Sequence, residues 1–182
     1  MGITRRKCFI SYHHADQAWV DYFVETFDHT HNLLIARGLG QSMAQDIIDS
    51  RDPDYVMRRI RELYISDSTV TLVMIGKCTW ARRYVDWEIQ ASLRAPQNGL
   101  PNGLLGIKLP TFTEGTPFPE RFNNNLLHKD RGDTDCFARH MPYPQTQDSL
   151  WQAIEAAFQR RTTHAHLIKN PRESFSYNKQ CE

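Results

Sequence analysis

The sequence predicts an α/β fold, an open and mainly parallel sheet of about five strands with helices on both faces. Two patterns carry that prediction. Short apolar runs of strand length alternate along the chain with stretches of helical spacing, and the middle run, VTLVMI, is apolar or β-branched throughout, as a central parallel strand covered on both faces must be. A third observation is size: 182 residues, 40% hydrophobic and 24% charged, are enough for one domain with a full core and too few for two of ordinary size.

Lys7 to Tyr12, KCFISY, reads as the first strand. Beyond it Trp19, Phe23 and Phe27 fall at i, i+4 and i+8 with Val20 and Val24 beside them, so a helix follows, with Asp16 placed as its N-cap. NLLIARGLG supplies a second strand ending at Gly38 and Gly40, and an irregular polar loop runs on to Asp52. Pro53 then opens a helix whose buried stripe is Val56, Ile60 and Leu63. Ser68 to Gly76 is the third strand, Cys78 to Leu93 reads as a helix, and Gly103 to Leu109 is the fourth strand. From Pro110 to Pro144 the chain is rich in Pro, Gly, Asn and Asp, and within it only DCFAR, Asp135 to Arg139, suits a short fifth strand. An amphipathic helix built on Leu150, Ile154 and Phe158 closes a single domain over residues 1–161. Residues 162–182 are expected to form a polar, loosely held tail, with Phe175 and Tyr177 as candidate anchors.

No apolar run is long enough to span a membrane, and the N-terminus MGITRRKCFISY lacks the apolar stretch of a signal peptide. A cytoplasmic protein with no membrane partner is expected. A net charge of +1 leaves no basic footprint for nucleic acid. The four cysteines, Cys8, Cys78, Cys136 and Cys181, include no CxxC pair, so free and mostly buried thiols are expected rather than a disulfide scaffold or a zinc site. HAH at 164–166 has metal-like spacing but lies in the tail, and no metal is assigned. RGLG at 37–40 holds two glycines of a dinucleotide fingerprint after the wrong strand and without the third, and the phosphate-loop pattern is absent. A phosphate-accepting receiver domain is disfavoured, because the first strand ends ISYHH without an acidic pair for Mg²⁺ and the third ends MIGK without an aspartate.

In open parallel sheets ligands bind beyond the carboxyl ends of the strands, near a switch in strand order. That rule selects Ser11 to His14, Gly38 to Asp52 and Gly76 to Trp80. The last region leads into a helix that a wheel at about 100° per residue divides into two arcs. Ala81, Val85, Ile89 and Leu93 belong against the sheet, Trp80, Tyr84, Trp87 and Ala91 form an aromatic face, and Glu88 falls between them. Arg82, Arg83, Asp86 and Gln90 take the polar side. Spacing alone leaves Glu88 either a snorkelling surface charge or a functional carboxylate, and the tryptophans either pocket wall or cover for another helix or subunit.

CFISYHHAD resembles the first strand and loop of Toll/interleukin-1 receptor (TIR) domains, in its aliphatic-Ser-Tyr ending and the acidic residue that follows. IRELYISDSTVTLVMIG resembles the passage from helix to third strand in that family. RYVDWEI is similar to its aromatic-x-x-x-Glu-Ile/Leu signature, with Tyr84 for the usual Trp, Val85 for the usual small residue, and Glu88 as the glutamate. The resemblance covers roughly Arg6 to Leu109 and is nearest to the compact TIR-like proteins of bacterial Thoeris antiphage defence. It implies a flavodoxin-like, TIR-like fold and an enzyme of NAD nucleosidase or ADP-ribosyl cyclase type, with NAD as substrate and no cofactor. The product implied is an ADP-ribose-derived signal, cyclic in the leading reading, that activates a separate effector protein. Such enzymes commonly assemble, so a homo-oligomer is also implied. Gly38 to Asp52 departs from the Asp-rich, Pro-containing loop usual after the second strand.

The residues suit that chemistry. Nicotinamide departs from its ribose as a neutral group, so little acid catalysis is needed, and one fixed carboxylate can stabilise the oxocarbenium-like charge that develops on the sugar. Glu88 is assigned to that role and to the ribose hydroxyls. Tyr12, Trp80 and Tyr84 are candidate stacking walls, while Ser11 and His13, with His14 as an equal candidate beside it, lie where a ligand would sit. Of Arg82 and Arg83 only one can face the site, and Arg83 is assigned to pyrophosphate. The alternative is a non-enzymatic TIR scaffold signalling by homotypic assembly through the aromatic face, which has no need of a carboxylate at the strand ends.

Overall fold

The computed structural model describes residues 3–40 and 43–181, so Gln41 and Ser42 of the singled-out region after the second strand lie outside the described residues. Five strands, β1 Arg6–Tyr12, β2 Leu34–Arg37, β3 Val70–Ile75, β4 Gly103–Lys108 and β5 Arg139–Pro142, form one all-parallel sheet in the order β2-β1-β3-β4-β5. The helices are α1 Gln17–Val24, α2 Gln45–Asp49, α3 Pro53–Ile60, α4 Arg83–Leu93, α5 Glu120–Asn123 and α6 Gln147–Thr163. This is the open parallel α/β sheet that the strand and helix spacing predicts, in the flavodoxin-like strand order that the family resemblance implies.

The two-residue period of the strands decides what each helix packs against. Cys8 and Ile10 of β1 and Leu72 and Met74 of β3 meet Val20 and Phe23 of α1 and Leu150 and Ile154 of α6. The alternate residues point the other way, Phe9 toward Ile60 of α3 and Trp87 of α4, and Val73 and Ile75 toward Val85, Ile89 and Leu93. Ser11, two residues beyond Phe9, therefore faces α4. Most of these helices are shorter than the ~12–15 residues at which an isolated helix becomes marginally stable. Burial of the apolar faces holds them, at roughly 1.5–3 kcal/mol per buried Leu, Ile or Phe.

Caps place the ends of α3 and α6. Asp52 Oδ1 accepts from the backbone N–H groups of Asp54 and Tyr55 at 3.0 and 3.3 Å, with Pro53 at the first helical position. Thr146 Oγ1 accepts from Ser149 N–H at 3.2 Å. Asp16 takes the N-cap position of α1 as expected, but its side chain makes no cap bond there: it ends a tight turn, His14–Asp16, and its Oδ1 accepts from the Thr111 hydroxyl at 2.7 Å.

Several expectations are corrected. Trp19 is 37% exposed, because residues four apart advance 40° around a helix and the stripe drifts, leaving Phe23 and Phe27 inside and Trp19 on the flank. Leu63 is 43% exposed, while Ile65 is fully buried, because α3 runs into a π-helical turn, Arg61–Ile65, whose wider spacing advances the apolar stripe. The loop expected up to Asp52 contains α2, whose Ile47 is fully buried against Phe9 and Met57. The fifth strand begins at Arg139, not Asp135: Cys136, Phe137 and Ala138 are buried, and the Ala138 N–H bonds to Asn125 O instead of the sheet.

Cys8 and Cys136 are free and buried, but Cys78 and Cys181 are joined in a disulfide. The expectation of free thiols fails for this pair because the tail, expected to be loosely held, returns across α4 and brings the two Cα atoms to 5.7 Å over a sequence separation of 103. No helix among the described residues is long and apolar enough to cross a membrane.

Candidate active site

A cavity of about 440 Å³ opens at the carboxyl end of β1, beside the β1/β3 position where the strand order reverses, and its size lies in the range of small-molecule sites. Tyr12, His13 and His14 enter it from the end of β1, and Gly38, Met43 and Ile48 from the segment after β2. Arg82, Tyr84, Val85 and Glu88 enter from the start of α4, and Asn178 from the tail.

The registers of β1 and β3 explain the placement of Glu88. Ser11 pairs with Val73 and points to the α4 face, where its fully buried hydroxyl donates to Glu88 Oε2 at 2.6 Å. Glu88 itself is half-buried. Burial pushes its carboxyl up to about 7 and outweighs the Ser11 bond, which favours the ionised form. A carboxylate that lines a cavity, is held by one short bond and exchanges its proton near neutrality is equipped to accept from hydroxyls or to stabilise a developing cation.

Around it the wall is aromatic and donor-rich. Tyr12 donates through its hydroxyl to Gln17 Oε1 at 2.6 Å, which fixes its ring at the end of β1. Tyr84 lies edge-on to Trp87, with ring centroids 5.5 Å apart. His13 is buried, and burial, with Arg82 and His14 nearby, pushes its imidazole down to about 4, so it is neutral at neutral pH and offers one donor and one acceptor. Gly38 adopts φ +80°, and a Cβ there would stand 2.3 Å from the Phe9 ring. Only glycine lets the chain pass this close to the sheet on its way to the cavity wall.

Of the residues singled out in the sequence, Glu88, Tyr12, His13 and Tyr84 share the cavity, as does His14. Ser11 lies behind Glu88, not on the cavity wall. Trp80 does not line the cavity; it sits in the turn Thr79–Ala81 ahead of α4. The arginine that lines the cavity is Arg82. Arg83 turns away: its guanidinium donates to Ser176 O at 3.3 Å and to the Tyr84 hydroxyl at 2.9 Å.

Half of the polar side of α4 is covered as well. Asp86 and Gln90 are buried beneath residues 170–176, with Arg121 Nε donating to Asp86 Oδ1 at 2.8 Å and Gln90 Nε2 donating to Arg172 O at 3.0 Å. Trp87 and Ala91 of the aromatic face are buried too, Trp87 donating through Nε1 to Phe175 O at 2.8 Å. Of the two candidate anchors, Phe175 holds through its backbone, whereas Tyr177 is 72% exposed. Asn178 was not foreseen. The hint in the sequence is Arg82 itself, which occupies the cap position of α4 where Ser, Thr, Asp or Asn would normally supply an acceptor.

A family model described as the TIR-like domain of the Thoeris protein ThsB matches residues 9–114, more than half of the chain and the part that contains the carboxyl end of β1, all of β3 and Glu88. No curated protein matches the chain.

Proposed function

The chain belongs to the TIR-like domain family of the Thoeris protein ThsB, and from that membership we propose that it cleaves the nicotinamide–ribose bond of NAD, with Glu88 as the catalytic carboxylate. The observation that carries this reading is the placement of Glu88: on the floor of the cavity at the β1/β3 switch point, held by Ser11, with a carboxyl that titrates near neutrality.

In the step proposed, the bond between the anomeric carbon and the pyridinium nitrogen breaks, and its electron pair goes to nitrogen, so nicotinamide leaves neutral. Positive charge then develops over the ribose C–O unit. The ionised Glu88, accepting from the ribose hydroxyls, stabilises that charge in a site walled by Tyr12, Tyr84 and Val85. A nucleophile, either water or another part of the ADP-ribosyl group, adds to the anomeric carbon and gives up its proton. Intramolecular attack yields a cyclic ADP-ribose-type signal, which in an antiphage system would act on a separate effector.

The scaffold alternative rested on an exposed aromatic face of α4. With Trp87 and Ala91 buried, it loses that support. The test is to incubate the purified protein with NAD, with and without lysate from phage-infected cells, and follow nicotinamide and ADP-ribosyl products by mass spectrometry. Release by wild type and its loss in Glu88→Gln is the expected result. Absence of turnover in both conditions, with Glu88→Gln indistinguishable from wild type in cells, would overturn the reading.

A further inference from the structure

Residues 170–181 cross α4 as a strap. It is held along its length: Arg121 Nη1 donates to Pro171 O at 2.7 Å, Phe175 N–H to Asp86 Oδ2 at 3.0 Å, and Lys179 N–H to Ala81 O at 2.8 Å, before Cys181 closes onto Cys78. These anchors bracket one residue at the cavity. Asn178 lies on its wall, and its Oδ1 accepts from Arg83 N–H, the first amide of α4, at 3.0 Å. The strap thus supplies from a distance the cap that Arg82 does not.

That bond also orients the side chain. With the amide oxygen committed to a backbone donor, the Nδ2 end carries two N–H groups, and neither has a partner among the described residues. Arg82 is similarly placed: Nε donates to Cys78 O at 3.3 Å, and its terminal nitrogens have no partner among the described residues. The cavity therefore has a donor-only edge formed by Arg82 and Asn178, and an acceptor floor at Glu88. A donor-only edge suits the anionic oxygens of a diphosphate, just as a carboxylate suits ribose hydroxyls.

We propose that Asn178 is a substrate contact, the strap's contribution to the Glu88 cavity, donating through Nδ2 to the pyrophosphate of the dinucleotide alongside the Arg82 guanidinium. This rests on the NAD reading above.

The test compares wild type with Asn178→Asp and Asn178→Ala by calorimetric binding of ADP-ribose, steady-state nicotinamide release and thermal melting. The aspartate keeps an oxygen for Arg83 N–H, and its charge suits the start of a helix, but it replaces two donors with an anion facing phosphate. The expected result is a wild-type melting temperature for Asn178→Asp, ADP-ribose binding weakened by ~10-fold or more, and KM for NAD raised in parallel with kcat little changed. Asn178→Ala is expected to weaken binding as well and, having lost the cap, to melt lower. Wild-type affinity and KM in a folded Asn178→Asp protein overturn the role of the strap and leave the NAD reading standing. Failure of wild type both to bind ADP-ribose and to release nicotinamide overturns the two together.

Discussion

Glu88 is acted on by opposing effects. Burial favours its neutral acid, the Ser11 hydroxyl favours the carboxylate, and burial wins, so the group titrates near 7 instead of its ordinary 4.5. Between those values the folded chain holds a proton that the unfolded chain has lost. The stabilisation is complete below about 4.5 and disappears as pH rises through about 7. Glu88→Gln removes the cost of ionising this site, so it is expected to stabilise the fold at pH 8 by on the order of 1–3 kcal/mol, read as a higher melting temperature, with the difference shrinking at pH 5. Activity should run the other way. Nicotinamide release is expected to climb with pH through about 7, and Ser11→Ala, which removes a bond to the ionised form, should move that rise to higher pH. Glu88→Gln is expected to reduce turnover by roughly 10²–10⁴. A rate that is flat from pH 5 to 8 would remove Glu88 from the role proposed. The position of the glutamate was legible, at the border between the apolar and aromatic arcs of a helix that follows a strand end, and its role was named by the family resemblance. Its partner was not, since the Ser11 to Glu88 bond spans 77 residues.

At the scale of the element, α4 carries a buried ion pair on the side that amphipathic spacing assigns to solvent. Asp86 accepts from Arg121 of α5 and from the N–H of Phe175, and both side chains of the pair are almost wholly enclosed. Asp86→Ala would leave the Arg121 charge buried and uncompensated, a loss of about 3–5 kcal/mol, and should also free the strap. Urea unfolding would read the first effect and amide exchange over residues 170–181 the second; unchanged exchange would mean that other anchors hold the strap. The same misreading explains the aromatic face. Tyr84, Trp87 and Ala91 do share an arc, but α3 and the strap cover it. Periodicity reports which residues share a side of a helix; what covers that side depends on segments far away in sequence. The π turns after α1 and α3 escaped for a related reason, because a stripe extrapolated at 3.6 residues per turn overruns the place where the turn widens.

For the molecule as a whole, the disulfide ties the end of the chain to the segment between β3 and α4. Closing a loop of this length restricts the unfolded chain, so Cys181→Ser is expected to cost about 2–5 kcal/mol under oxidising conditions and little when a thiol reductant is present. Thermal melts with and without reductant check this, and equal melting temperatures in all four cases would show that the bond is not formed in solution. Local spacing was sufficient for the first four strands, for most of the helices and for a ligand region beyond the strand ends, while the role of Glu88 was named by the family resemblance. Alternation in strands and the 3.6-residue period in helices are written within a few neighbouring residues. Folding alone chose Arg82 over Arg83, set Ser11 behind Glu88, joined Cys78 to Cys181 and brought Asn178 to the cavity. Contacts such as Asn178 to Arg83, 95 residues apart, leave no periodic trace in a single sequence, because burial is set jointly by both partners and neither local pattern records the other.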